Sequence, residues 1–177
     1  MARYLRQRGW NVLTPELRPS DGSAALEVLA AQLAAFIEAE TVPSGRLDLI
    51  GFSMGGLICR YYLQRMGGAA RADRFISIAS PNHGTRVAQL LPGAGMKQMR
   101  PKSSFLEALN DDVSSLRHMA CSVFYTSLDF VIVPASSSIL PFASSTRFRI
   151  LSHPLMLYHP AVYRKLAEVL LTPLSRA

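Results

Sequence analysis

Helically spaced apolar positions and short apolar runs take turns along this chain. Between residues 23 and 40, Leu26, Leu29, Leu33, Phe36 and Ile37 share one face of an amphipathic helix. Pro43-Ser44-Gly45 breaks it, and Leu47-Asp48-Leu49-Ile50 reads as a buried strand. Residues 54 to 66 predict a helix stopped by Gly67-Gly68. Phe75 to Ala79 predicts a second buried strand, and the Gly- and Pro-rich stretch 81 to 103 an ordered surface loop. Phe105 to Leu109 suggests a short helix, while Val123 to Thr126 and Arg147 to Leu151 predict two late strands. Pro160 opens a last helix with Val162, Leu166, Val169 and Leu170 on one face. At the other end, residues 1 to 9 predict a helix closed by Gly9, and Trp10 to Thr14 a short strand ended by Pro15. Strands alternating with helices predict the α/β class, a mostly parallel sheet with helices on both faces and right-handed crossovers.

A length of 177 residues predicts one domain, 1–177. Apolar residues at 49% and charged residues at 18% exclude a disordered tail or a coiled-coil rod. The net charge is +7, but 16 of the 19 cations are Arg and they are scattered. With no basic run and no aromatic-interleaved basic stripe, nucleic acid is not an expected partner. The charge is expected to serve solubility, with peripheral contact with an anionic lipid surface as the other reading. Cys59 and Cys121 stand alone in apolar stretches and read as buried free thiols. No apolar run has the length of a membrane span, and residues 1 to 8 do not form a signal peptide, so the expected location is cytoplasmic.

Chemistry enters at Gly51-Phe52-Ser53-Met54-Gly55, between the strand at 47 to 50 and the helix at 54 to 66. This is G-x-S-x-G in a strand–turn–helix setting. A serine forced onto so sharp a turn takes strained backbone angles and lifts its hydroxyl above the sheet. Side chains two before and two after it are expected to collide, hence glycine at 51 and 55. The helix starting at Met54 turns free N–H groups toward the site, and the Met54 N–H is a candidate oxyanion donor.

Leu47 to Gly56 resembles the elbow of α/β-hydrolase-fold lipases and esterases. Ser80-Pro81-Asn82-His83-Gly84-Thr85 resembles the segment those proteins carry after the next strand. The resemblance is closest to bacterial triacylglycerol-lipase-like esterases and runs from about residue 1 to 171. It implies a chain order of Ser, then Asp or Glu, then His. His153-Pro154-Leu155-Met156-Leu157 resembles the family's base loop, and Asp129-Phe130-Val131-Ile132-Val133-Pro134 its acid loop. The resemblance therefore implies a triad of Ser53, Asp129 and His153. His159, beside Pro160, is explained by helix capping, His118 reads as surface, and His83 as a loop histidine near the pocket. Phe52, His83 and Met96 are the candidate substrate contacts. Leu90, Leu91, Met96 and Met99 could line an acyl pocket with residues 132 to 142, or be core.

The family pattern also contains an earlier strand ending in a His-Gly loop that supplies a second oxyanion N–H. No His-Gly precedes residue 83, so the expectation is a fold partial at its N-terminus, or else a re-paired sheet with a damaged site. The function implied is hydrolysis of a small-molecule or lipid ester through an acyl-enzyme on Ser53. The same triad would serve an acyltransferase, and a hydrolase-like binding module without catalysis is the reading from another class. No cofactor is implied, and no His or Asp pair has metal-ligand spacing.

Overall fold

The structure, a computed structural model, describes residues 1–174. Its sheet has four strands: β1 (Leu47–Phe52), β2 (Ala72–Ile78), β3 (Ala120–Thr126) and β4 (Ser144–Phe148). They lie side by side in chain order and every pair is parallel. Parallel neighbours need crossovers, and these are supplied by α3 (Met54–Arg65), by the segment holding α4 (Ala94–Gln98) and α5 (Ser104–Asp111), and by the loop after β3. Before the sheet come α1 (Ala2–Arg6) and α2 (Leu26–Glu40), and after it α6 (Pro160–Leu171).

Alternation along the strands builds two cores. Leu49, Phe75 and Val123 face one way and pack with α2, α3 and α5 through Leu29, Leu33, Leu57, Leu63 and Leu106. Ile76, Ile78 and Phe124 face the other way and meet Leu5 of α1 and Val162, Leu166 and Leu170 of α6. β2 and β3 are thus covered on both faces, which is why they read as continuous apolar runs. α3 ends where Met66 donates to the Tyr62 carbonyl and Gly67 turns left-handed at φ 77°. Such a φ costs glycine little.

Three expectations need correction. Residues 10 to 15 form no strand, because a strand exists only by pairing and nothing pairs there. The fourth strand is Ser144–Phe148, not 147 to 151. Its first residues are Ser, Ser and Thr at a sheet edge, so the apolar signal starts after the strand has begun. The 81 to 103 stretch contains α4 and a 3₁₀ turn, Arg86–Gln89, N-capped by the Thr85 side chain. Both cysteines are free, and burial pushes each thiol up to about 12. Among the described residues no helix is long and apolar enough to cross a membrane.

Candidate active site

Ser53 leaves the end of β1 with φ 53° and ψ −125°, in the left-handed half of backbone space that a side chain rarely enters. It is held there from both sides. Its N–H donates to the Ile78 carbonyl at 2.9 Å, and its carbonyl accepts from the Gly56 N–H at 3.0 Å. Gly51 is required because a Cβ there would stand 2.5 Å from the Gly56 Cα. Gly55 is not required in the same way, since a Cβ there would meet open space. The second close approach falls one residue later, at Gly56, which lies against Ser80. The expected collision at 55 is thus corrected to 56: the first turn of α3 presses its Gly56 side against the chain leaving β2. Met54 begins α3, so its N–H has no intrahelical acceptor.

Asp129 follows β3 and His153 follows β4, so both stand beyond the same carboxyl edge of the sheet as Ser53. They meet: His153 Nδ1 lies 2.9 Å from Asp129 Oδ2, with both side chains buried. The other carboxylate oxygen, Oδ1, accepts from the backbone N–H groups of Val131 (2.9 Å) and Ile132 (2.8 Å). Burial alone would raise the Asp129 pKa. The hydrogen bond and charge of His153 and the two N–H donors outweigh it and hold the carboxyl below its ordinary value. An ionised carboxylate only accepts, so Nδ1 carries the proton and Nε2 presents its lone pair. The His153 ring lies against Phe52, the residue before Ser53, with centroids 4.7 Å apart. No hydrogen bond joins Ser53 and His153 among the described residues; such contacts often close only around substrate.

The remaining candidates are occupied elsewhere. His83 is exposed, with Nε2 3.0 Å from the Ile139 carbonyl and Nδ1 3.3 Å from Asn110 Nδ2. Its N–H and that of Gly84 donate to Ser137 and Pro81, so this His-Gly pair offers no free oxyanion donor. Met96 packs over Gly22, where a Cβ would come within 2.9 Å of its Cγ, and joins the core beside α2 and α3. That contact accounts for its burial without a ligand. Leu90 is exposed, whereas Met99 is core. His159 Nδ1 accepts from the Ala161 N–H at 3.2 Å and caps α6. His118 is exposed, 3.2 Å from the Ala69 carbonyl.

Sequence reasoning missed Arg60. It is fully buried on α3 and faces no carboxylate. Its guanidinium donates to the carbonyls of Asn82 (3.1 Å) and Leu109 (2.9 Å), and to the side-chain oxygens of Asn110 (3.0 Å) and Gln64 (3.1 Å). Burial pushes its pKa down to about 10. The only sequence signal was a cation among the apolar positions of an amphipathic helix.

A parallel sheet with helices on both faces and a strained serine between β1 and α3 defines a protein of the α/β-hydrolase fold. Solved structures agree on that fold. The chain resembles lipase B of Aspergillus fumigatus at 18% identity and TM-score 0.67, covering 82% of this chain and 41% of that one. It resembles the mature lipase of Bacillus licheniformis at 16% identity and TM-score 0.62, covering 94% and 82%. A pyrethroid hydrolase of Sphingobium faniae matches at 14% identity and TM-score 0.64, covering 97% and 90%. The chain thus spans under half of the Aspergillus lipase. The model of the palmitoyl protein thioesterase family matches residues 18–129, and the chain belongs to that family. No curated protein sequence matches it.

Proposed function

We propose that this protein hydrolyses carboxylic esters, with acyl chains as the natural substrate class, through an acyl-enzyme on Ser53. His153 Nε2 takes the proton from Ser53 Oγ as that oxygen attacks the ester carbonyl. The Met54 N–H stabilises the resulting oxyanion. His153 then protonates the leaving alcohol, and a water deprotonated by the same nitrogen releases the acid. Asp129 holds the ring and stabilises the imidazolium. The observation that carries the reading is the 2.9 Å Asp129–His153 contact on the sheet edge that bears the strained Ser53. Membership of a thioesterase family and a fold shared with lipases support the acyl substrate.

The test is covalent. A fluorophosphonate should modify the folded protein, and mass spectrometry should find the adduct on Ser53. Ser53→Ala and His153→Ala should each abolish both the adduct and hydrolysis of p-nitrophenyl butyrate, whereas His159→Ala should keep most of both. No adduct on folded protein, or an adduct elsewhere, overturns the nucleophile. Loss of activity in His159→Ala but not in His153→Ala overturns the base.

A further inference from the structure

We propose that Thr85 and Thr126 are positioning residues whose hydroxyls clamp the 128 to 133 loop at its two ends and so set the Asp129–His153 hydrogen bond. This rests on the assignment of Asp129 and His153 made above.

Thr126 is the last residue of β3 and fully buried. Its hydroxyl donates to the Ile150 carbonyl at 2.7 Å and accepts from the N–H groups of Ile150 and Leu128, each at 3.3 Å. One oxygen therefore ties the start of the acid loop to the chain three residues before His153. Thr85 repeats the device at the other end. Its hydroxyl donates to the Val131 carbonyl at 2.6 Å and accepts from the N–H groups of Val133 (3.0 Å) and Val87 (3.3 Å). Both hydroxyls thus use their one donor and two acceptor positions.

Apolar burial anchors this loop at one side chain only, Ile132, which is 1% exposed. Phe130 is 76% exposed, and Leu128 and Val131 also face solvent. Its remaining anchors are polar: the two threonines, Asp129 Oδ1 on Val131 and Ile132, and the Arg86 N–H on the Val133 carbonyl. A β-branched side chain with few χ1 states suits a fixed clamp. Misplacement by about 1 Å can cost on the order of 100-fold in rate.

Thr85→Val and Thr126→Val keep the shape and remove the hydroxyl; Thr85→Ser and Thr126→Ser restore it. In wild type the His153 Nδ1 proton should give a low-field nitrogen-bound proton resonance, assigned by its absence in His153→Asn. The valine variants should weaken or shift that resonance and lower kcat for p-nitrophenyl butyrate about 10- to 100-fold with KM little changed. The serine variants should recover both. If folded Thr85→Val keeps the resonance and the wild-type kcat, the proposal is overturned, even should Thr126→Val not fold. A melting temperature that drops while kcat per folded molecule holds also overturns it. If wild type shows the resonance but Ser53 takes no fluorophosphonate, the hydrolase reading fails, and the clamp is judged on the resonance alone.

Discussion

Gly56 lies so close to Ser80 that a Cβ on it would stand 2.6 Å from the Ser80 Cβ. Ser80 is buried, follows Ala79 at φ 46°, and has no room to retreat. Gly56→Ala should therefore cost ~1–3 kcal/mol through overpacking. Gly55→Ala meets nothing and should be neutral or stabilising by ~0.5 kcal/mol. Urea unfolding of the two variants measures the contrast. Equal losses at 55 and 56 would refute the close approach.

Asp129→Asn keeps an oxygen for the Val131 and Ile132 N–H groups but no longer fixes the His153 tautomer. Hydrolysis should fall about 10⁴-fold. The Asp129 carboxyl titrates lower in the folded chain than in the unfolded one. Its contribution to stability is therefore complete above the unfolded value, near 4, and lost as pH falls through the folded value. Wild type should lose more stability than Asp129→Asn on going from pH 5 to pH 3, measured by urea midpoints.

His83 gives a second pH signature in another window. Arg60 donates to Asn110 Oδ1, which turns the Asn110 amide NH₂ toward His83 Nδ1 and requires that nitrogen to be a bare acceptor. Partial desolvation of a ring whose other side faces solvent, with the Arg60 charge adding to it, lowers the His83 pKa, while its bond to Ile139 opposes. A depressed folded value means stability present above the unfolded value, near 6.5, and lost as pH drops below it. Stability should fall between pH 7 and pH 5, and His83→Gln should flatten that slope. An unchanged slope would remove His83 from the account.

Arg60→Lys conserves charge and loses the fork. One ammonium cannot reach four acceptors spread over α3, the 80 to 85 segment and α5; the buried Asn82 carbonyl and the Asn110 side-chain oxygen stand to lose their donor, while Leu109 keeps the Gln64 amide. Each unsatisfied buried group costs ~1–3 kcal/mol. Thermal unfolding should show a loss of at least ~2 kcal/mol, and Arg60→Met a larger one.

What the sequence made legible was local. β1, the turn at Ser53 and α3 sit within twenty residues of each other, and spacing alone identifies them. Asp129 and His153 were proposed from chain order and from resemblance: Asp129 follows a strand with an apolar signature, and His153 an apolar run that begins only as β4 ends. Arg60 was invisible: three of its four partners lie 22 to 50 residues away, and two of the four are backbone carbonyls, which have no sequence signature. The segment at 10 to 15 has strand-like residues but no partner, and pairing is not written in a single segment. Glycine 56 escaped for the same reason, since its constraint comes from Ser80 on another strand's exit.

The strand order has a consequence for how the protein comes into being. Because the sheet is laid down in the order β1, β2, β3, β4, the ribosome releases Ser53 first, Asp129 later and His153 last of the three. From Ser53 to His153 is 153 − 53 = 100 residues, on the order of 5–20 s of translation. Throughout that interval the nascent chain has the proposed nucleophile without its proposed base. On the proposed mechanism, competence to attack an acyl group therefore arrives only once His153 has emerged, and a product stopped before β4 would lack it.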